Sequence, residues 1–266
     1  MANIEKHTPG SPCWFELSTS DQNAAKTFYS NLFGWTIADN PMGPDMVYTI
    51  FKLDGKDAAA CCTLQPEQKA HGVPPNWAVY IAVENADATA AKITTAGGTM
   101  VMPPFDVMDL GRMAVAQDPA GATFCLWQPG TNTGTQIGGV MSTVGWIELT
   151  TTDEAAAAKF YGDVFGWKVT AGKEGGPAGP NDYGHIENAG QMIGGIPPAS
   201  MRDPNAPPNW LIYVEVPDAA AMTTKANSLG ASVVVGPMDI GENGTISVLQ
   251  DPQGAFFALH QAPAAK

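Results

Sequence analysis

The chain has 266 residues, of which 26 are acidic and 13 are lysine or arginine, and its formal net charge is −13. An acidic balance of this size repels phosphate backbones, so we expect no nucleic-acid partner. No apolar run approaches the ~20 residues that span a bilayer, and the first residues lack the basic and apolar stretches of a secretory signal, so we expect a cytoplasmic protein with no membrane contact.

In chain order, the first predicted element is a strand over residues 13–18, where side chains alternate in character. Asp21 is a suitable N-cap for the helix that follows, and Gly34 stands where a C-terminal cap is expected. Three further strands complete a βαβββ module; they are predicted near residues 35–38, 47–53 and 58–63.

The same order of elements follows once more. A strand over 77–83 leads to a helix over about 86–96, which the pair Gly97-Gly98 ends. Asp118-Pro119-Ala120-Gly121 predicts a tight hairpin turn between the last two strands. The three strands after the helix are predicted near residues 99–102, 112–116 and 123–128.

The second half of the chain repeats the first half. Trp14-Phe15-Glu16-Leu17 returns 132 residues later as Trp146-Ile147-Glu148-Leu149, and Pro74-Pro75-Asn76-Trp77 returns 133 residues later. A Gly/Thr-rich stretch separates the copies. We therefore predict an α+β fold of four βαβββ modules, with domains at 1–130 and 143–266 joined by a linker at 131–142.

These motifs resemble the vicinal oxygen chelate superfamily, which includes glyoxalase I, bleomycin-resistance proteins and extradiol dioxygenases. The features that carry the resemblance are the paired modules, a helix with Phe-Tyr and then Phe-Gly-Trp, and the closing Asp-Pro-x-Gly hairpin. The tandem form is similar to actinobacterial glyoxalase-like proteins that are sometimes labelled antigens or hydroxylases. The resemblance implies two glyoxalase-like domains with curled mixed or antiparallel sheets and helices on the outer face.

In metal-dependent members of that superfamily, the curled sheet forms a cup that holds a divalent ion, bound mainly by His and Glu. Carried onto this chain, the ligand positions of the first and last strands hold side chains that are poor donors for such an ion. We therefore expect no metal cofactor. These positions are Trp14, Ala78 and Cys125 in the first domain, and Trp146, Leu211 and Ala258 in the second.

Strand alternation predicts which side chains replace the metal. If Phe15 and Leu17 face the helices, then Trp14 and Glu16 face the cup. The predicted lining is aromatic with one or two carboxylates, which is typical of a small-molecule pocket. The predicted ligand-binding residues are Trp14, Tyr80, Cys125 and Trp127 in the first cup, and Trp146, Tyr213, Glu215 and His260 in the second.

Glu16 and Glu148 are acids within apolar strands, where a carboxylate needs a partner. One interpretation is that they bind a cationic ligand beside indole rings, and another is that they act as catalytic bases with a raised pKa. A purely structural, hydrogen-bonded acid is the third. His260 with Glu148 and Glu215 is a candidate for an irregular metal site, although a polar residue near a strand end is the simpler interpretation.

Three functions remain open on this sequence. The first is metal-free binding, or sequestration, of a small molecule that is cationic or aromatic. The alternative is a lyase, isomerase or dioxygenase-type enzyme that acts on a carbonyl or hydroxylated substrate. The third is a structural or regulatory module whose paired sheets bind another protein. The protein is expected to be a monomer or a homodimer, and the sequence leaves open whether modules pair within or across the domains.

Overall fold

The computed structural model describes residues 2–43, 46–170, 182–203 and 205–263, which form two eight-stranded sheets and one short two-stranded sheet. No helix in this part of the chain is long and apolar enough to cross a membrane. The two large sheets follow the repeat in the sequence, because each half of the chain builds one of them.

The first half contains both predicted modules in the predicted order. Its elements are β1 (Ala2–Asn3), β2 (Pro12–Thr19), α1 (Gln22–Phe33), β3 (Thr36–Gly43), β4 (Met46–Leu53), β5 (Lys56–Thr63), α2 (Pro66–Ala70), β6 (Asn76–Ala82), α3 (Ala86–Thr95), β7 (Thr99–Val107), β8 (Gly111–Gln117) and β9 (Thr123–Pro129).

The second half repeats this arrangement and adds two short 3-10 helices. Its elements are β10 (Ile137–Gly138), β11 (Val144–Thr150), α4 (Glu154–Phe165), β12 (Lys168–Thr170), β13 (Gly184–Asn188), β14 (Gln191–Ile196), the 3-10 turn Ala199–Met201, β15 (Asn209–Glu215), α5 (Ala219–Ser228), β16 (Ser232–Asp239), the 3-10 turn Gly241–Asn243, β17 (Thr245–Gln250) and β18 (Phe256–Gln261).

Modules pair within each half, which answers the question that the sequence left open. The strand order is β3-β4-β5-β2-β6-β9-β8-β7 in the first sheet and β12-β13-β14-β11-β15-β18-β17-β16 in the second. In each sheet the first strands of the two modules lie side by side and antiparallel, β2 against β6 and β11 against β15. The central strands therefore carry the residues nearest to the middle of each cup.

Local signals in the sequence place the first helix as predicted. The side chain of Asp21 accepts a hydrogen bond from the amide of Ala24, and Gly34 ends the helix in the left-handed conformation at φ 75°. The hairpin turn is also confirmed, because Oδ1 of Asp118 accepts from the amides of Ala120, Gly121 and Ala122. These caps fix the ends of the elements that carry the cup residues.

The two halves share one hydrophobic core, formed where their helix-covered faces meet. The hydroxyl of Tyr29 on α1 donates to Oδ2 of Asp251 in the second half at 2.9 Å, and the indole of Trp77 donates to Tyr29. The repeat provides the mirrored contact, in which Tyr161 donates to Asp118 at 3.1 Å. We call these two buried contacts the Tyr–Asp contacts; they join the halves on the side away from the cups.

The stretch between the halves is ordered by hydrogen bonds. β10 pairs with β1 at the N-terminus, and the amide of Thr135 donates to the carbonyl of Cys13. These two short strands and α2 were not anticipated, because two-residue strands carry no periodicity in sequence. The first sheet ends at Pro129 and the second begins at Val144, while the domain boundaries drawn above stay a prediction.

Candidate functional site

Each sheet has a face without helices, which we call the first cup and the second cup. Phe15 and Leu17 of β2 lie in the shared core, whereas Trp14 belongs to a separate cluster on the opposite face. That cluster forms the lining of the first cup. Its buried members are Cys13, Trp14, Ala60, Tyr80, Ala82, Cys125 and Trp127.

In the first cup, Glu16 is held by two tyrosines. Tyr48 on β4 donates to Oε2 of Glu16 at 2.6 Å, and Tyr80 on β6 donates to Oε1 at 3.1 Å. The indole of Trp14 donates to the hydroxyl of Tyr48 at 2.9 Å, and the thiol of Cys62 lies 3.8 Å from Oε1. The half-buried carboxylate therefore has partners of its own, as the structural interpretation requires.

The second cup contains the same network of hydrogen bonds. Tyr183 donates to Oε2 of Glu148 at 2.8 Å, Tyr213 donates to Oε1 at 2.9 Å, and Trp146 donates to the hydroxyl of Tyr183 at 3.0 Å. We call each set of Trp, Glu and two Tyr side chains a Trp–Tyr–Glu–Tyr network. Because the network occurs in both cups, the acid and its two tyrosine partners are a shared structural feature of the two repeats.

Burial raises the pKa of Glu16 and of Glu148, because a carboxylate loses favourable hydration when it leaves water. The hydrogen bonds from the two tyrosines act in the opposite direction on each acid and lower its pKa. Burial likewise raises the pKa of the Cys62 thiol to about 12, with the charge of Glu16 adding to this. Cys62 is therefore a neutral thiol and a poor nucleophile at neutral pH.

Tyr48 and Tyr183 are the site residues that the sequence analysis missed. They stand 135 residues apart, the same spacing as Ile50 and His185 two residues further on. The repetition of tyrosine at that spacing is the signal in the sequence that could have revealed them. Strand alternation on the first strands alone does not find them, because β4 and β13 lie away from the central strand pair.

The two cups differ in how far they are filled. In the first cup Trp127 is 8% exposed and Trp14 is 5% exposed. Trp127 lies so close to Gly111 that a β-carbon there would fall 2.6 Å from its ring, and its indole donates to the carbonyl of Asn132. The described side chains thus close the first cup, and Cys125 and Tyr80 belong to the buried cluster that lines it.

The second cup has an ion pair where the first cup has a tryptophan. Nδ1 of His260 lies 2.9 Å and 3.0 Å from the two oxygens of Glu215, and its Nε2 lies 2.8 Å from the carbonyl oxygen of Asn243. Both side chains stay accessible, with 23% of His260 and 19% of Glu215 exposed. Glu215 raises the pKa of His260 by accepting its hydrogen bond. Trp146 is half-buried, in contrast to buried Trp14.

The donor set in the cups does not fit the metal ion of metal-dependent relatives. Within the described residues, no group of three or more His, Cys, Asp or Glu side chains is arranged to hold a metal. The three residues of the irregular set suggested above do not form such a group: His260 pairs with Glu215, and Glu148 accepts hydrogen bonds from two tyrosines. No step of a mechanism is therefore assigned to a metal at these positions.

The sequence model of the family described as the Glyoxalase/Bleomycin resistance protein/Dioxygenase superfamily matches residues 13–126 and 143–259. The chain is 38% identical to the "Putative glyoxylase CFP32" of Mycobacterium tuberculosis over 260 residues, covering 97% of both chains. It is 37% identical to the "Anthracycline biosynthesis protein DnrV" of Streptomyces peucetius over 273 residues, covering 96% of this chain and 94% of that one.

Solved structures share the fold at low sequence identity. The Mn(II)-bound glyoxalase from Novosphingobium aromaticivorans superposes with a TM-score of 0.64 at 17% identity, over 95% of this chain and 82% of that chain. The 2,3-dioxygenase LapB from Pseudomonas sp. KL28 superposes with a TM-score of 0.63 at 13% identity, over 96% of this chain and 94% of that chain.

Proposed function

Because the chain belongs to the glyoxalase/bleomycin resistance protein/dioxygenase superfamily, whose members act on or bind small molecules, we propose that it binds a small aromatic molecule in its second cup without a metal. The observation that carries this proposal is the Trp–Tyr–Glu–Tyr network around Glu148, whose indole, Trp146, is only half-buried. The same network in the first cup is closed over by buried tryptophans.

The side chains of the second cup suit a planar ligand that carries oxygen or nitrogen. Trp146 offers an aromatic surface, and Glu148 keeps acceptor capacity beyond its two tyrosine donors, since a carboxylate has about four acceptor sites. An aromatic face and a few convergent polar groups are the usual composition of such a pocket. The name of the relative DnrV, an anthracycline biosynthesis protein, supports a ligand with fused aromatic rings.

A positive charge on the ligand is also favoured. The net charge of −13 attracts cations at long range, and an indole face beside a carboxylate binds them at short range. Glu215 does not add to this while His260 is protonated, because the pair is then neutral. We therefore attribute the preference for a positively charged ligand to Glu148 and to the net negative charge of the protein.

Binding is measured by titrating the protein with 2,6-dihydroxyanthraquinone, a planar compound without a permanent charge, and with daunorubicin, which carries an ammonium group. Quenching of tryptophan emission reports proximity to Trp146, and calorimetry gives the stoichiometry. We expect one site per chain, weakened by Glu148→Gln and spared by the matched variant Glu16→Gln. Binding of neither compound, or equal loss in both variants, overturns the proposal.

The competing function is an isomerase- or lyase-type enzyme, in which the carboxylate of Glu148, oriented by Tyr183 and Tyr213, would serve as the general base. Its test is incubation with methylglyoxal and a thiol in D2O, followed by proton NMR. Turnover or deuterium exchange that Glu148→Gln abolishes and Glu16→Gln retains would favour the enzyme over simple binding.

A further inference from the structure

We infer that His185 and Thr170 form a hydrogen-bonding subsite of the second cup, which takes a hydroxyl or carbonyl oxygen at the far end of a planar aromatic ligand. The inference rests on the proposed function and adds the position of a second polar group on the ligand. It depends on four residues that lie in one row across the second sheet.

The register of the strands places this row on the cup face. Glu148 on β11 pairs with Gly195 on β14, Gly195 pairs with His185 on β13, and His185 pairs with Thr170 on β12. Residues directly opposite each other on paired strands share a face. Neighbouring strands lie ~4.8 Å apart, so His185 stands about 10 Å along the sheet from Glu148. This separation matches the length of a fused aromatic ring system.

Two polar atoms in the row lack a partner. Nδ1 of His185 and Oγ1 of Thr170 are buried and make no hydrogen bond to any residue that the structure describes. Buried polar groups in folded proteins nearly always have a partner, and an unpaired one is costly. Two such atoms on adjacent paired residues indicate a place where a bound molecule supplies the partner.

Aromatic contacts hold the imidazole next to the proposed ligand position. The ring centroid of His185 lies 5.2 Å from that of Tyr183 and 6.1 Å from that of Trp146, both in edge-to-face geometry. Tyr183 itself covers Gly195, where a β-carbon would fall 2.2 Å from its ring. The ring of Tyr183 therefore forms the floor between Glu148 and His185. The imidazole is half-buried, so part of it stays open toward a ligand on that floor.

The corresponding row of the first cup has no such polar groups. There Glu16 pairs with Ala60, Ala60 with Ile50, and Ile50 with Ala38. Alanine and isoleucine offer no hydrogen bond, so the subsite belongs to the second cup alone. An imidazole and a hydroxyl can each donate and accept, so both suit a ligand hydroxyl, and either can donate to a carbonyl oxygen.

The test compares 2,6-dihydroxyanthraquinone, which has a hydroxyl at each end, with 9,10-anthraquinone, which has the same ring system and central carbonyls without the hydroxyls. His185→Phe keeps an aromatic ring and removes the hydrogen bond, and Thr170→Val keeps the shape. We expect each variant to weaken binding of the dihydroxy compound by about five- to tenfold and to change binding of anthraquinone less than twofold. Ile50→Val in the first cup is the matched control and should change neither affinity.

The possible outcomes separate this inference from the proposed function. If the wild type binds both compounds and neither variant lowers the preference for the hydroxylated one, the inference is wrong and the proposed function stands. If the wild type binds neither compound, both are wrong. Thermal melting shows that each variant is folded, and Thr170→Val provides the result if His185→Phe is not.

Discussion

The hydroxyl of Tyr183 donates to Glu148 at 2.8 Å while the indole of Trp146 donates to that same hydroxyl at 3.0 Å. The tyrosine thus orders an acid and a tryptophan in the second cup at once. Because its ring also covers Gly195, Tyr183 links the polar centre of the cup to the row that ends at His185. Replacing Tyr183 should therefore affect the ionisation of Glu148 as well as the packing over Gly195.

Tyr183→Phe removes one of the two hydrogen bonds that lower the pKa of Glu148, so the pKa of this acid should rise further above its usual value. The carboxyl stretch in isotope-edited infrared titrations measures this. Tyr48→Phe is the matched variant and should raise the pKa of Glu16 in the same way. An unchanged or lower pKa of Glu148 in Tyr183→Phe would contradict the network described here.

Tyr29→Phe leaves Oδ2 of buried Asp251 without its tyrosine donor, and this should lower the free energy of unfolding by about 1–3 kcal/mol. Burial raises the pKa of Asp251 while Tyr29 lowers it, so the variant raises it further. A raised pKa means that the stability from this acid is present at low pH and lost as pH rises through the folded-state value. The loss of unfolding free energy in Tyr29→Phe, relative to the wild type, should therefore be larger at pH 7 than at pH 3.5.

Urea unfolding of Tyr29→Phe at both pH values checks this, with Tyr161→Phe as the mirrored variant at the contact to Asp118. A stability equal to that of the wild type would show that the Tyr–Asp contacts do not hold the halves together.

Glu215→Gln should lower the pKa of His260, because the hydrogen bond from His260 to the carboxylate of Glu215 is the main cause that raises it. A histidine with a raised pKa stabilises the fold below its unfolded value, 6.5, and this contribution is lost as pH rises through the folded-state value. The variant should therefore be less stable at pH 6, by on the order of 1 kcal/mol, and nearly equal to the wild type at pH 9. NMR titration of the imidazole and unfolding at both pH values measure the two effects; a pKa of His260 that does not fall rules out the pairing.

Two substitutions should fill the second cup in the way that the first cup is filled. Glu215→Ala combined with His260→Trp gives the second cup the residues found at the matching positions of the first, Ala82 and Trp127. The new indole should fill the second cup and weaken binding of 2,6-dihydroxyanthraquinone by about tenfold or more. Undiminished affinity in the folded double variant would mean that the ligand binds elsewhere.

Much of the fold could be predicted from the sequence because its signals are local or repeated. The cap at Asp21, the glycine at Gly34 and the alternation of Trp14 and Phe15 each act within a few residues, and the structure agrees with them. The pairing of modules required the structure, since β2 meets β6 across more than fifty residues of chain.

The site was predictable only in part. Alternation along the central strands placed Glu16, Tyr80, Glu148 and Tyr213 in the cups, since each such strand has one cup face. Tyr48 on β4 and Tyr183, which directly precedes β13, lie away from the central strands, and their contacts with the acids depend on strand order and register. The filling of the first cup by Trp127 depends on its packing against Gly111, a contact between neighbouring strands that spacing along the chain does not reveal.

A crystal structure of the wild-type protein with 2,6-dihydroxyanthraquinone, whose hydroxyls lie at opposite ends of the ring system, tests the central claim most directly. We predict density for one molecule in the second cup, beside Trp146 and over Tyr183, with its oxygens toward Glu148 at one end and His185 at the other. Density in the first cup, or at the surface with the second cup holding only water, would contradict the account.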